Sequence, residues 1–79
     1  MINTYKELHK FCTQNENKNI SPINEITISI KISDKRYLIF HKTLIDNYVD
    51  LSIRFNNNTI TNFMSLPVSI AYQLICLYK

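Results

Sequence analysis

Ile26, Ile28, Ile30 and Ile32 alternate with Thr27, Ser29 and Lys31, a strict period of two carried by β-branched residues. A helix repeats every 3.6 residues and would scatter these side chains around its axis, whereas a strand places them all on one face. The stretch is read as a half-buried strand over about 25–32. The rest of the chain must then supply cover for an isoleucine face. Residues 48–55 repeat the pattern, with Val49, Leu51, Ile53 and Phe55 against Asp50, Ser52 and Arg54, and make a second strand.

Between them, 37–45 is apolar on both faces, so its register has to come from the turns. With Asp46-Asn47 as a two-residue hairpin loop, Leu44 faces Val49, Lys42 faces Leu51, Phe40 faces Ile53 and Leu38 faces Phe55. With Asp34-Lys35-Arg36 as a three-residue loop, Ile32 faces Leu38 and Ile30 faces Phe40, and one parity serves all three strands. A turn at Asn56-Asn57-Asn58 suits asparagine, which tolerates positive φ. It leads to a short fourth strand over about 59–64, whose register stays open between Ile60 with Met64, or Phe63, pointing inward.

Helices flank this meander. Thr4-Tyr5-Lys6-Glu7 is a capping box, and Tyr5, Leu8, Phe11 and Cys12 form one stripe of a helix over about 5–14. The polar run 15–19, followed by Ser21-Pro22, is read as a flexible connection. Ser65 as a cap and Pro67 in the first turn start a second helix over about 66–78. Its stripe is Leu66, Ile70, Leu74 and Leu77, widened by Ala71, Ile75 and Tyr78, with Ser69 and Gln73 as a polar edge. The expected architecture is a single α+β domain over 1–79, α-β-β-β-β-α, with both helices on the isoleucine face of an antiparallel sheet.

A domain of 79 residues buries only about 60% of its unfolded surface. Its core supplies no more than about 3–5 kcal/mol unless something reinforces it. Cys12 and Cys76 could make one bridge, but nothing ahead of Cys12 resembles a secretory signal and both fall in helix-like segments, so they read as buried thiols in an intracellular protein. A metal site would need four ligands, and the soft candidates Cys12, Cys76, His9 and His41 include no pair at CxxC or HxxxH spacing, so no metal is expected. The apolar stretch Val68 to Tyr78 is far short of the roughly 20 residues a membrane crossing needs. Self-association, as a homodimer, or a foreign partner remains as the expected reinforcement.

With no glycine in the chain, glycine-rich phosphate loops are excluded, and no cofactor is expected. A nucleophilic mechanism would need a histidine base with an orienting acid. His9 lies on a solvent-facing helix position. His41 falls on the outer sheet face between Ser29 and Ser52, where no pocket could hold a substrate. The carboxylates sit mostly at caps and turns, so no catalytic residue is assigned and the chain is read as non-enzymatic.

The outer sheet face carries the candidate contact residues. Lys31, Tyr37, Ile39, His41 and Arg54 project there, with Lys35 and Arg36 in the adjoining turn, and Thr27, Thr43 and Ile45 among them. Lys42 is awkward, because its register aims it at Ile28 and Leu51. Either the strand ends near His41 and the chain loops through 43–47, or Lys42 lies at the open end of the sheet and snorkels to water.

Without a catalytic constellation, unpaired strand edges and surplus apolar surface point to a protein–protein interaction module using the outer face, a free edge or the last helix. The Ile-, Asn- and Lys-rich composition matches an AT-rich genome. Small proteins of this build look broadly like phage or mobile-element accessory proteins, including inhibitors of a host enzyme or of CRISPR defence, although no motif carries that likeness. The alternative is RNA binding through the outer face, because aromatics among cations can stack bases and neutralise phosphates, and the net charge of +3 points the same way.

Overall fold

Thr4 opens the first helix as its capping box requires. The Glu7 amide donates to the Thr4 hydroxyl at 3.2 Å while the Thr4 amide donates to the Glu7 carboxylate at 3.0 Å. A computed structural model describes residues 1–55 and 58–79, the stretch 58–63 by its backbone alone. Helix α1 (Tyr5–Gln14) is followed by β1 (Ile20–Asn24), β2 (Thr27–Ser33), β3 (Arg36–Lys42), β4 (Tyr48–Phe55), β5 (Asn58–Pro67) and α2 (Val68–Cys76). The strands form one antiparallel sheet in sequence order. The α+β meander between two helices is as expected, with one strand more.

That extra strand is β1, placed where the polar connection was read. Asn17 accounts for it. Its side-chain oxygen accepts from the Asn19 and Ile20 amides at 2.7 and 2.8 Å, turning the chain so that the Asn19 carbonyl accepts from the Lys31 amide at 2.7 Å. Ile20 then pairs with Ile30 and Ser21 with Ser29. Pro22, which has no N–H to give, fits because β1 is an edge strand whose register shifts between Ser21 and Asn24.

Two registers differ from expectation, each by two residues. Ile30 faces Leu38 and Ile28 faces Phe40, and Leu38 then faces Ile53, Phe40 faces Leu51 and Lys42 faces Val49. β3 therefore ends at Lys42, and the chain loops through residues 43–47 in place of a two-residue hairpin. The loop is long because it satisfies both helix starts. The Asp46 carbonyl accepts from the Tyr5 amide at 2.8 Å and the Asn47 carbonyl from the Val68 amide at 2.9 Å, two first-turn donors with no partner inside their own helix. Thr43 pins the loop internally, its hydroxyl accepting from the Ile45 amide at 3.1 Å. Lys42 lies exposed at the open end of the sheet.

β5 pairs Phe55 with Asn58, Ile53 with Ile60 and Leu51 with Met64, with an irregularity between the last two pairs. Ile60 and Met64 thus share the parity of Leu51 and Ile53. The turn expected at Asn56-Asn57-Asn58 lies at residues 56–57, outside the described residues. The strand runs on to Pro67, three residues further than expected. Ser65 caps nothing in α2, because its hydroxyl donates to Asp50 at 2.9 Å; Pro67, extended and without a side-chain bond, precedes the helix.

The core gathers Ile20, Ile28, Ile30, Phe40, Val49 and Leu66 from the sheet, Tyr5, Leu8 and Cys12 from α1, and Val68, Ala71 and Ile75 from α2. Burying each large aliphatic or aromatic side chain contributes about 1.5–3 kcal/mol against the entropy of ordering the chain. The α2 stripe is rotated from the expected one. Val68, Ala71 and Ile75 are buried, whereas Ile70 and Leu77 are exposed, because starting the helix two residues later at Pro67 turns a different edge to the sheet. The two helices meet where the Phe11 and Tyr72 rings pack edge to face at 4.9 Å.

Candidate functional site

On the sheet face away from the helices, the register sets the outward side chains in three cross-strand rows. Lys31, Tyr37 and Arg54 form one, with the tyrosine between the two cations. Ser21, Ser29, Ile39 and Ser52 form the next. Thr27, His41, Asp50 and Ser65 form the third. Alternation along each strand keeps all of them on this face, since a shift of two residues changes partners and not sides.

Ile39, a candidate contact residue from the sequence, is only 2% exposed. Serines stand on both sides of it, and Ser52 and Ser29 are themselves buried. Ile39 therefore packs within the face and offers little to a partner. Arg36 also departs from its expected place. Its parity is that of Leu38 and Phe40, so it lies on the helix side of the sheet end, its guanidinium carbon 4.9 Å above the Phe55 ring. Lys35 is exposed in the turn between β2 and β3, and Lys31, Tyr37, His41 and Arg54 are half-buried on the outer face. Thr43 and Ile45 have left the sheet for the loop.

His41 pairs with Thr27 and Asp50; Ile39 takes the position between the serines. Thr27, His41 and Asp50 are a nucleophile, a base and an acid by residue type, but their geometry does not join them into a relay. The Thr27 hydroxyl is 3.5 Å from His41 Nδ1, the outer limit of a hydrogen bond, and Asp50 Oδ1 is taken by Ser65. Cavities open elsewhere. One of about 230 Å³ is lined by Lys18, Asn19, Lys31, Ile32, Ser33, Asp34 and Tyr78, and another of about 270 Å³ by Met1, Ile2, Glu7, Lys10, Phe11 and Gln14.

The clearly perturbed titrations lie off this face. Burial, with the Cys12 thiol adding to it, pushes the Tyr5 hydroxyl up to about 12. Burial and then Cys76 push Cys12 up to about 12. Tyr72, hydrogen-bonded to Cys76, is also raised. Both thiols are free, Cys12 buried and Cys76 half-buried. Among the described residues no three His, Cys, Asp or Glu side chains gather as metal ligands, and no helix is long and apolar enough to cross a membrane.

The fold also sorts the surface between the two ends of the sheet. At one end, the Lys42 amide donates to the Ile26 carbonyl at 2.9 Å, which sets the β1–β2 turn beside the 43–47 loop. Ile23 near the end of β1, Ile26 in the turn, and Leu44 and Ile45 in the loop are all more than half exposed. Sequence reading missed this group because it assigned Ile26 and Leu44 to inward strand positions. The one available signal was Ile23-Asn24-Glu25-Ile26, two isoleucines flanking a polar pair suited to a turn. At the opposite end lie Lys18, Lys31, Lys35, Arg36 and Arg54.

No protein-family model, no curated protein and no solved structure matches the chain.

Proposed function

We propose that this protein is a non-enzymatic binding module that docks onto another protein through the end of its sheet carrying Ile23, Ile26, Leu44 and Ile45. The single observation behind this reading is the exposure of those four side chains at the end of the sheet where the Lys42–Ile26 hydrogen bond sets the β1–β2 turn beside the 43–47 loop. Exposed aliphatic side chains grouped on hydrogen-bonded loops have more use against a partner than against water. Glu25 and Asp46 stand beside them in sequence and Lys42 joins the two segments, giving the apolar centre a charged rim. The matching partner presents an apolar patch with a polar edge.

The small size and AT-rich composition support a narrower reading as a phage or mobile-element accessory protein that inhibits a host enzyme or a defence system such as CRISPR. Gene neighbourhood tests that part directly. The docking end is tested with Ile26→Asp plus Leu44→Asp. These side chains contribute little to the core, so the variant keeps its thermal midpoint within a few degrees and loses the protein that the wild type captures from its host. A partner retained equally by both proteins defeats the reading. Light scattering separates the homodimer: a wild-type dimer that the double substitution turns into a monomer identifies the partner as a second copy.

A further inference from the structure

We infer that the opposite end of the sheet binds single-stranded nucleic acid, with Tyr37 as the stacking platform and Lys31 and Arg54 as its phosphate contacts. A net charge of +3 is unremarkable spread over a chain of this length, but the fold does not spread it. Lys18 and Lys31 line one depression. Lys35 and Arg36 occupy the β2–β3 turn and the start of β3, and Arg54 is next to last in β4. The carboxylates at this end are Glu16 and Asp34. Glu25, Asp46 and Asp50 belong to the other end, and Glu7 to the first turn of α1. The result is a field concentrated at one end of the sheet, with Lys31 and Arg54 bringing it onto the outer face.

Tyr37 gives that field a shape. It is half-buried, with Lys31 directly across on β2 and Arg54 directly across on β4, each one strand spacing away, about 4.8 Å in the hydrogen-bonding direction. The next outward residue along β3 is the sunken Ile39, which lies between Ser29 and Ser52. A base laid on the ring has a cation on each side for its flanking phosphates. This is the arrangement by which open sheets hold unpaired strands, the stacking being indifferent to base identity. Stacking on Tyr37 requires a base that is unpaired and splayed from its neighbours, so the ligand is a single strand. An acidic peptide would satisfy the cations but make no use of the aromatic between them. The inference is independent of the docking end, which lies across the sheet.

Fluorescence anisotropy with labelled oligo-dT and oligo-U of twelve nucleotides tests it, with heparin as a polyanion that has no bases. Both oligonucleotides bind at low salt, and affinity falls as salt rises with a log–log slope of roughly −0.7 per phosphate contact. Lys31→Ala plus Arg54→Ala lowers the magnitude of that slope by roughly 1.4, counting two contacts at that value. Tyr37→Ala weakens oligonucleotide binding about tenfold or more, leaves heparin binding unchanged, and is rescued by Tyr37→Phe. Circular dichroism confirms that each variant is folded. A preference for oligo-U over oligo-dT assigns the ligand as RNA. Absence of oligonucleotide binding, or a Tyr37→Ala variant that binds oligonucleotide as well as the wild type does, overturns the inference and leaves this end as a surface for acidic protein.

Discussion

The Lys42 amide donates to the Ile26 carbonyl at 2.9 Å, joining the last residue of β3 to the residue just before β2. The bond closes the β2–β3 ladder beyond the Thr27–His41 pair. Ile26 belongs to the isoleucine alternation by sequence, yet it is 56% exposed and lies just outside β2, whereas Ile28 is fully buried. Its partner strand has no reason to continue, and the chain turns out through Leu44 to reach the two helix starts.

Phe40 is wholly buried at the centre of the sheet, opposite Ile28 and Leu51. Phe40→Ala costs about 3–5 kcal/mol, as much as a core of this size supplies, so the variant is largely unfolded by circular dichroism at 25 °C. Ile30→Val costs about 0.5–1.5 kcal/mol and stays folded with a lower urea midpoint. A Phe40→Ala protein as stable as the wild type would place the core elsewhere.

Thr4 and Glu7 cap α1 together. Thr4→Ala lowers stability by about 1 kcal/mol, read as a shift in urea midpoint at unchanged m. The Glu7 carboxyl is held below its ordinary range by the Asn3 amide first, then by the Thr4 hydroxyl and amide. A folded-state value depressed in this way stabilises the fold above the unfolded carboxylate range and loses that contribution as pH falls through the folded value. Stability therefore declines on acidification below the normal glutamate range, and Glu7→Gln flattens the decline. Parallel pH profiles for the two proteins rule the carboxylate out as the cause.

Tyr5 is buried, and its hydroxyl has no hydrogen-bond partner among the described residues. An unpartnered buried hydroxyl is a cost to the fold. Tyr5→Phe removes the oxygen and keeps the ring, so stability is unchanged or rises by up to about 1 kcal/mol in denaturant titration. A loss of more than that would reveal a bond the hydroxyl makes in solution.

Cys12 is buried, with its thiol pushed up to about 12, whereas Cys76 is half-buried. Alkylation at pH 8 modifies Cys76 first, and Cys12 reacts only at the rate of opening, since the thiolate is the nucleophile and burial suppresses it. Mass mapping of the modified residue in native and urea-unfolded protein checks this. Equal native rates at the two thiols would contradict the packing of α1 on the sheet.

Much of the fold was legible because faces depend on parity alone. The alternation at 26–32 and 48–55, and the stripe Tyr5, Leu8 and Cys12, each identified the buried side without knowledge of a partner. Both register errors were of two residues and kept the face of each residue that stayed in the β2, β3 and β4 strands, while Thr43, Leu44 and Ile45 left the sheet. The strand β1 was hidden because Ile20 and Ser21 carry no periodic signal, and what recruits them is a side-chain turn at Asn17. The α2 stripe was misjudged because its residues are apolar nearly all round, so no moment in the sequence selects Val68, Ala71 and Ile75 over Ile70 and Leu77.

The outer-face residues Lys31, Tyr37, His41 and Arg54 were identifiable by the same parity, and Lys35 by its turn. Parity placed Ile39 on that face too, but not its burial, which depends on neighbours from other strands. The placing of Arg36 depends on where the β2–β3 turn begins. Local periodicity determined which sides of these elements avoid water, because side-chain direction follows from backbone geometry within a few residues. Only the tertiary structure decided which residues meet across strands, and that cations collect at one end of the sheet and bare isoleucines at the other. Those outcomes depend on turn lengths and on backbone groups of distant segments finding their hydrogen bonds, which no short window of sequence contains.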